Sequence, residues 1–85
     1  MRIGRQRSGG SIEKTAEELV SLGLNQYAGE GKPFEKVISL VERELLVQML
    51  RQCQGVQIKA AERLGINRNT LHKKVEDYGL DAESR

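Results

Sequence analysis

The sequence predicts an all-α fold of four helices, and three observations lead to this prediction. Apolar residues recur at spacings of three and four in four separate segments, as they do along one face of an amphipathic helix. Glycine, in one place together with the only proline, separates these segments. No segment reads as a strand, and the 85 residues suffice for one small domain.

The first predicted helix runs from Ile12 to Tyr27. Thr15 and Glu18 are placed as a capping box, in which a hydroxyl and a carboxylate three residues apart satisfy backbone N–H groups at the helix start. Gly23 lies inside the apolar pattern and weakens it, because glycine is a poor helix former. Residues 1–10 hold three arginines and three glycines, which predicts a flexible basic leader before the helix.

The second predicted helix runs from Phe34 to Gln54, with Pro33 in its first turn and Gly55 at its end. Its first half carries one apolar stripe, whereas apolar residues spread most of the way round its second half. A fold of this size has too few elements to cover such a helix, so a second subunit is predicted to cover it. The residues predicted to form the dimer interface are Leu19, Val20, Val37, Ile38, Val41, Leu45 and Met49.

Two short helical patterns then follow with almost no residues between them. Gln57 to Leu64 predicts a two-turn helix, Gly65 and Ile66 a tight turn, and Asn67 the N-cap of a last helix. A helix, a glycine-containing turn and a second helix make a helix-turn-helix, whose second helix enters the major groove of DNA. The predicted organisation is therefore a leader at 1–10, a dimerisation region at 11–56, a helix-turn-helix at 57–79 and a frayed tail at 80–85.

The last predicted helix, Arg68 to Tyr78, has an apolar and a polar face. Leu71 and Val75 are spaced to face the core together with Tyr78. On the polar face, the forked guanidinium of Arg68 suits guanine O6 and N7. Asn67 or Asn69 suits adenine N6 and N7 in the same way.

Cationic and hydroxyl side chains flank these base-reading candidates and suit phosphate contacts, which fix register without carrying sequence information. His72 suits a base, a phosphate or plain solvent exposure, and a solvated helix surface is the alternative for the whole face. The residues predicted to contact DNA are Lys59, Asn67, Arg68, Asn69, Thr70, His72, Lys73 and Lys74.

The distribution of charge agrees with a polyanionic partner. The formal net charge of +2 combines a local +3 in residues 1–10, −2 in residues 11–56, +2 in residues 57–79 and −1 in the tail. The +3 of residues 1–10 comes from Arg2, Arg5 and Arg7, which serve either as an arm on DNA phosphates or as a solubilising leader.

Other classes of function have little support in the sequence. No apolar run approaches the ~20 residues that cross a bilayer, and the first ten residues lack the apolar region of a signal peptide. A single cysteine and a single histidine provide neither a disulfide nor a zinc ligand set. We therefore predict a cytoplasmic protein that is not an enzyme and has no cofactor, no metal, no membrane partner and no small-molecule substrate.

The segment "AAERLGINRNTLHKKVEDYGL" resembles the DNA-binding end of the Fis family, which includes the C-terminal domains of NtrC-type activators. The likeness continues upstream through "VERELLVQML" and "EELVSLGLNQYAGEGKPFEKVI", and so covers roughly residues 16 to 80. It implies a homodimer on double-stranded DNA in the bacterial nucleoid, in which the first two helices of each subunit intertwine. Many members carry arginine where this chain has His72, so one cationic contact becomes dependent on pH or is lost.

Three interpretations of function remain open at this stage. The first is a small homodimeric transcription regulator or Fis-like nucleoid protein that bends DNA when its recognition helices lie closer than one helical turn. The second is a detached DNA-binding domain of an NtrC-type activator. The third is a protein-interaction or dimerisation module in which the last two helices only complete the core.

Overall fold

The computed structural model describes residues 11–83, and the predicted leader at residues 1–10 lies outside the described residues. The helices are α1 (Ile12–Gln26), α2 (Pro33–Gln52), α3 (Gln57–Leu64) and α4 (Arg68–Asp77), followed by a 3-10 turn at Asp81–Glu83. The described part of the chain contains no strand, and the all-α prediction of four helices is confirmed. The chain divides into two compact units, and the boundary between them falls within α2: the first unit ends at Ser39 and the second begins at Leu40.

The start of α1 differs from the prediction. Ser11 is the N-cap, and its Oγ accepts a hydrogen bond from the Lys14 backbone N–H at 3.0 Å. The capping box predicted at Thr15 and Glu18 is wrong, because the helix begins one turn earlier than that box requires. The Thr15 hydroxyl instead donates to the Ser11 carbonyl at 3.2 Å.

Gly23 allows a close contact between α1 and the first part of α2. It is buried, and an ideal Cβ built on it would lie 2.6 Å from Cγ2 of Val37, far inside van der Waals contact. Val37 is itself only 8% exposed. This contact within one chain contributes to the burial of Val37, and its predicted place in the dimer interface stays a prediction.

The second unit has a single core cluster contributed by α2, α3, α4 and the segment after α4. Leu50, Leu71 and Val75 are completely buried at its centre, as the spacing of Leu71 and Val75 predicts. Met49, predicted in the dimer interface, packs partly buried against this cluster. The other buried members of the cluster are Leu46, Val47, Cys53, Ala60, Ala61 and Leu80.

The end of α2 uses the predicted glycine and, before it, a second left-handed residue. Gln54 takes the left-handed conformation first, with φ 55°, and Gly55 follows with φ 82°. The Gly55 N–H then donates to the Leu50 carbonyl at 2.7 Å, which closes the last turn of the helix.

The end of α4 closes in the same way and draws the start of the predicted tail into the core. The Leu80 N–H donates to the Val75 carbonyl at 2.9 Å. This bond turns the Leu80 side chain inward, where it is 2% exposed. A hydrophobic contact of this kind commonly accompanies such a helix end.

We predict that Gly23→Ala destabilises the protein by about 1 kcal/mol, although alanine is favoured over glycine in a helix by about the same amount. The β-branched Val37 side chain cannot move aside easily, and overpacking costs about 1–3 kcal/mol. Urea denaturation measures the change in the free energy of unfolding. Gly29→Ala, where an added Cβ meets nothing within 4 Å, is the control and should be neutral. A stabilised Gly23→Ala variant would contradict the close approach.

Candidate nucleic-acid interface

The turn between α3 and α4 is defined by one left-handed residue. Gly65 has φ 76° and ψ 30°, and its N–H donates to the Ala61 carbonyl at 2.9 Å. The next N–H, from Ile66, donates to the same carbonyl at 3.0 Å. An added Cβ at Gly65 would meet nothing within 4 Å, so glycine is needed here for its torsion and not for space. The turn brings α4 close across α3, where Ala60 and Ala61 are buried.

Asn67 is the N-cap of α4, as predicted. Its Oδ1 accepts from the backbone N–H of Asn69 at 2.7 Å and of Thr70 at 3.4 Å. Bidentate recognition of adenine requires both the oxygen and the nitrogen of an amide side chain. Because the oxygen of Asn67 is engaged in the cap, Asn69 is the better adenine-reading candidate of the two.

The outer face of α4 is polar and exposed along its whole length. It opposes the fully buried Leu71 and Val75, so the helix has one face in the core and one face in solvent. No acidic side chain stands in its first turn, where a phosphate would approach. Five of the predicted DNA-contact residues on α4 are exposed: Asn69 and Lys73 opposite the core, Thr70 and His72 to either side, and Arg68 at the end of the helix.

Lys59 is exposed on α3. Ile58, its neighbour at the start of the same helix, is 50% exposed, although it stands three residues before the buried Ala61. α3 is only two turns long, and its buried residues are Ala60 and Ala61 near its middle.

His72 lies between two hydrogen-bond acceptors that the sequence did not identify. Its Nδ1 is 3.2 Å from Oε1 of Gln57, the first residue of α3, and its Nε2 is 3.4 Å from a carboxylate oxygen of Glu76. A neutral imidazole carries one N–H, so only the protonated ring donates to both neighbours. Glu76 also opposes the positive charge that His72 would bring to DNA.

Lys73 makes a looser contact one helical turn along α4. Its Nζ is 3.8 Å from Oδ2 of Asp77, and both side chains are well exposed. An exposed pair of this kind contributes at most about 1 kcal/mol. Lys73 can therefore leave Asp77 for a phosphate at small cost.

Lys74 forms an ion pair with another helix, and its predicted phosphate contact stays a prediction. Its Nζ lies 2.8 Å from Oε2 of Glu42 on α2, and the Tyr78 hydroxyl donates to Oε1 of the same carboxylate at 2.6 Å. About one third of each charged side chain remains exposed. The bond from Lys74, together with that from Tyr78, holds the pKa of Glu42 below its ordinary value, and the bond to Glu42 raises the pKa of Lys74. Lys74 thus has a partner within the chain.

No group of histidine, cysteine and carboxylate side chains within residues 11–83 is placed to hold a metal ion. In the same part of the chain, no helix is both long enough and apolar enough to cross a membrane.

Two helices joined by a tight left-handed turn, with a capped and cationic second helix, define a helix-turn-helix protein. The family model described as "Bacterial regulatory protein, Fis family" matches residues 37–78, and relatives named Fis match over most of their length. The chain therefore belongs to the Fis family, and the predicted resemblance is confirmed.

Three relatives illustrate the range of the match. The DNA-binding protein Fis of Aliivibrio fischeri is 35% identical over 75 residues, which cover 81% of this chain and 76% of the relative. A putative Fis-like DNA-binding protein of Neisseria meningitidis is 49% identical over 47 residues, covering 55% and 60%. The DNA-binding transcriptional regulator NtrC of Rhizobium meliloti is 38% identical over 84 residues, covering 81% of this chain but 17% of the relative. No solved structure matches the chain significantly.

We predict that Asn67→Ala lowers the free energy of unfolding by about 1 kcal/mol, because two N–H groups at the start of α4 lose their acceptor. Asn67→Asp keeps an acceptor at the same position and should retain wild-type stability. Chemical denaturation of both variants checks the prediction, with Asn69→Ala as the control for loss of an exposed amide. Equal stability of Asn67→Ala and wild type would contradict the cap.

We predict an acid-sensitive contribution from Glu42 to stability. Its pKa is lower in the folded chain than the ordinary 4.5, so the contribution is complete above about pH 4.5 and is lost as the pH falls through the folded value. The contribution of Lys74 to stability depends on pH in the opposite direction. Its pKa is raised in the folded chain, so this contribution is lost only in strong alkali. Urea titrations between about pH 3 and pH 7 should show a smaller acid loss in Glu42→Gln than in wild type. The exposed Glu44→Gln is the matched control.

Proposed function

We propose that this chain is a transcription regulator that binds double-stranded DNA as a homodimer and inserts α4 of each subunit into the major groove. The observation that carries the proposal is the division of α4 into two faces. Leu71 and Val75 are fully buried, and the capped first turn presents Arg68 and Asn69 to solvent. A recognition helix requires this arrangement, since the residues that read bases must project from a helix fixed on its other side.

Roles on this face follow from charge and position. Arg68, in the first turn, has the forked geometry that reads guanine, and Asn69 is the amide best placed for adenine. Lys59, Thr70 and Lys73 would bind phosphate and hold the register. Membership of a family whose relatives are named DNA-binding proteins supports the same function.

An exposed apolar stripe on α2 supports the homodimer. Ile38, Val41 and Leu45 follow each other at spacings of three and four and are each between 42% and 52% exposed. A row of large apolar side chains on one helix face, left in water, marks an interaction surface. Val20 on α1 is exposed to a similar extent, and Leu19 is half-buried, so both stay in the proposed interface.

Two-fold symmetry would place the recognition helices in successive major grooves, ~34 Å apart on straight DNA. If the helices lie closer, the DNA bends to receive both, at a cost of about 1–6 kcal/mol for a bend of 40–90°. The dimer would then prefer sequences whose flanking steps bend easily.

The salt dependence of duplex binding tests the function. We predict that the logarithm of the association constant falls steeply with the logarithm of salt concentration, by about 0.9 for each phosphate neutralised. Lys73→Ala should reduce this slope by about one per subunit and weaken all duplexes alike. Arg68→Ala should instead cost about 1–3 kcal/mol on the selected site and relax its sequence preference. Binding that does not respond to salt would refute the proposal.

A charged substitution on the apolar stripe tests whether the stripe forms the homodimer interface. We predict that Leu45→Asp shifts the protein towards monomer in sedimentation experiments and weakens duplex binding. Leu40→Asp is the matched control, because Leu40 is 49% exposed against 52% for Leu45 but lies about 140° away around α2. If both variants remain dimeric, the stripe is not the interface.

A further inference from the structure

Glu42 on α2 accepts hydrogen bonds from two donors on α4. Lys74 engages one carboxylate oxygen at 2.8 Å and the Tyr78 hydroxyl engages the other at 2.6 Å. We propose that these three residues, here called the α2–α4 clamp, are positioning residues that fix the recognition helix against the central helix and thereby set the half-site spacing that the dimer reads. The inference rests on the proposed function and adds a determinant of spacing to it.

The two donors define both the rotation and the register of α4. Lys74 and Tyr78 stand four residues apart, close to one helical turn, so they lie on the same side of α4. A displacement of α4 by one residue would move this side by about 100° and 1.5 Å and would break both bonds to Glu42 together. The backbones of α3 and α4 run close to each other, whereas α2 reaches α4 mainly through side chains. The clamp is therefore the polar part of that link.

The position of Glu42 on α2 connects the clamp to the proposed subunit interface. Around the helix, Glu42 lies about 60° from Leu45, which is on the exposed stripe, and about 40° from Leu46, which is buried in the core. The helix that would meet the partner subunit thus holds the recognition helix directly. Any shift of α4 relative to α2 changes the distance between the two recognition helices of a dimer.

A phosphate-binding role for Lys74 makes the opposite prediction for its partner. If Lys74 bound DNA, the Glu42 carboxylate would compete with phosphate, and its neutralisation would strengthen binding. In the clamp, Glu42 and Lys74 act together, and loss of either weakens binding at the preferred spacing. The sign of the Glu42→Gln effect therefore separates the two roles.

The test uses the full chain and a series of duplexes in which two selected half-sites are moved apart in single base-pair steps. Affinity is measured for wild type, Glu42→Gln, Lys74→Gln and Tyr78→Phe, and the salt slope is measured at the preferred spacing. Glu44→Gln is the matched control for a carboxylate on α2, and Lys73→Gln is the control for a cation on α4. Circular dichroism at the assay temperature establishes that each variant is folded, and Tyr78→Phe, which removes one hydroxyl only, keeps the test valid if a charge variant unfolds.

The clamp predicts that Glu42→Gln, Lys74→Gln and Tyr78→Phe each lose about fivefold or more in affinity at the preferred spacing, the scale of a modest coupling between sites. They should lose less at neighbouring spacings, with the wild-type salt slope retained. Lys73→Gln should weaken every spacing equally and reduce the slope. Tighter binding by Glu42→Gln, or a reduced slope in Lys74→Gln alone, would overturn the clamp and leave the proposed function standing. A wild-type chain that binds no duplex would overturn the proposed function and the clamp with it.

Discussion

The burial of Leu71 and Val75 in the core cluster is the constraint on which the functional surface depends. These two side chains are fully buried together with Leu50 of α2, so they fix which face of α4 is turned to the interior. The opposite face is then determined by the helical period and not by any specific interaction of its own. The residues on that face are consequently available to bind a partner without loss of core packing.

Each basic side chain in the run from His72 to Lys74 lies near a carboxylate, and the three carboxylates are not on the same helix. His72 is near Glu76 and Lys73 is near Asp77, both on the exposed surface of α4 itself. Lys74 instead pairs with a carboxylate on another helix. The three adjacent basic residues are therefore not three equivalent candidates for a phosphate contact. In the proposed complex, this partial neutralisation would lower the sequence-independent attraction to DNA and leave a larger share of the binding free energy to the residues that read bases.

Local signals made much of the fold predictable from the sequence. The glycine turn at Gly65, the cap at Asn67 and the apolar spacing of Leu71 and Val75 are encoded within a dozen residues, and the structure confirms all of them. The start of α1 was missed because Ser11 and Thr15 are both good caps, and local sequence does not rank them.

The contacts that were missed join residues distant in sequence. The pairing of Glu42 with Lys74 spans the whole of α3 and the connections on both sides of it, and the packing of Gly23 on Val37 spans the connection between α1 and α2. Neither residue pair has a periodic pattern that would reveal it. The exposure of Arg68, Asn69 and Lys73 on α4 was predictable, whereas the ion pair of Lys74 with Glu42 required three-dimensional structure.

The last turns of α2, α3 and α4 all end with a backbone N–H bonded to the carbonyl five residues earlier. Each of these bonds fixes the direction in which the chain leaves its helix, so the backbone itself holds the connections after α2 and α3. An inserted residue there would rotate everything that follows out of register. Ala28 to Lys32, between α1 and α2, is the longer connection, and Gly29 and Gly31 within it are exposed. This connection is the place where a fluorophore or epitope can be introduced while the DNA-binding half is kept intact.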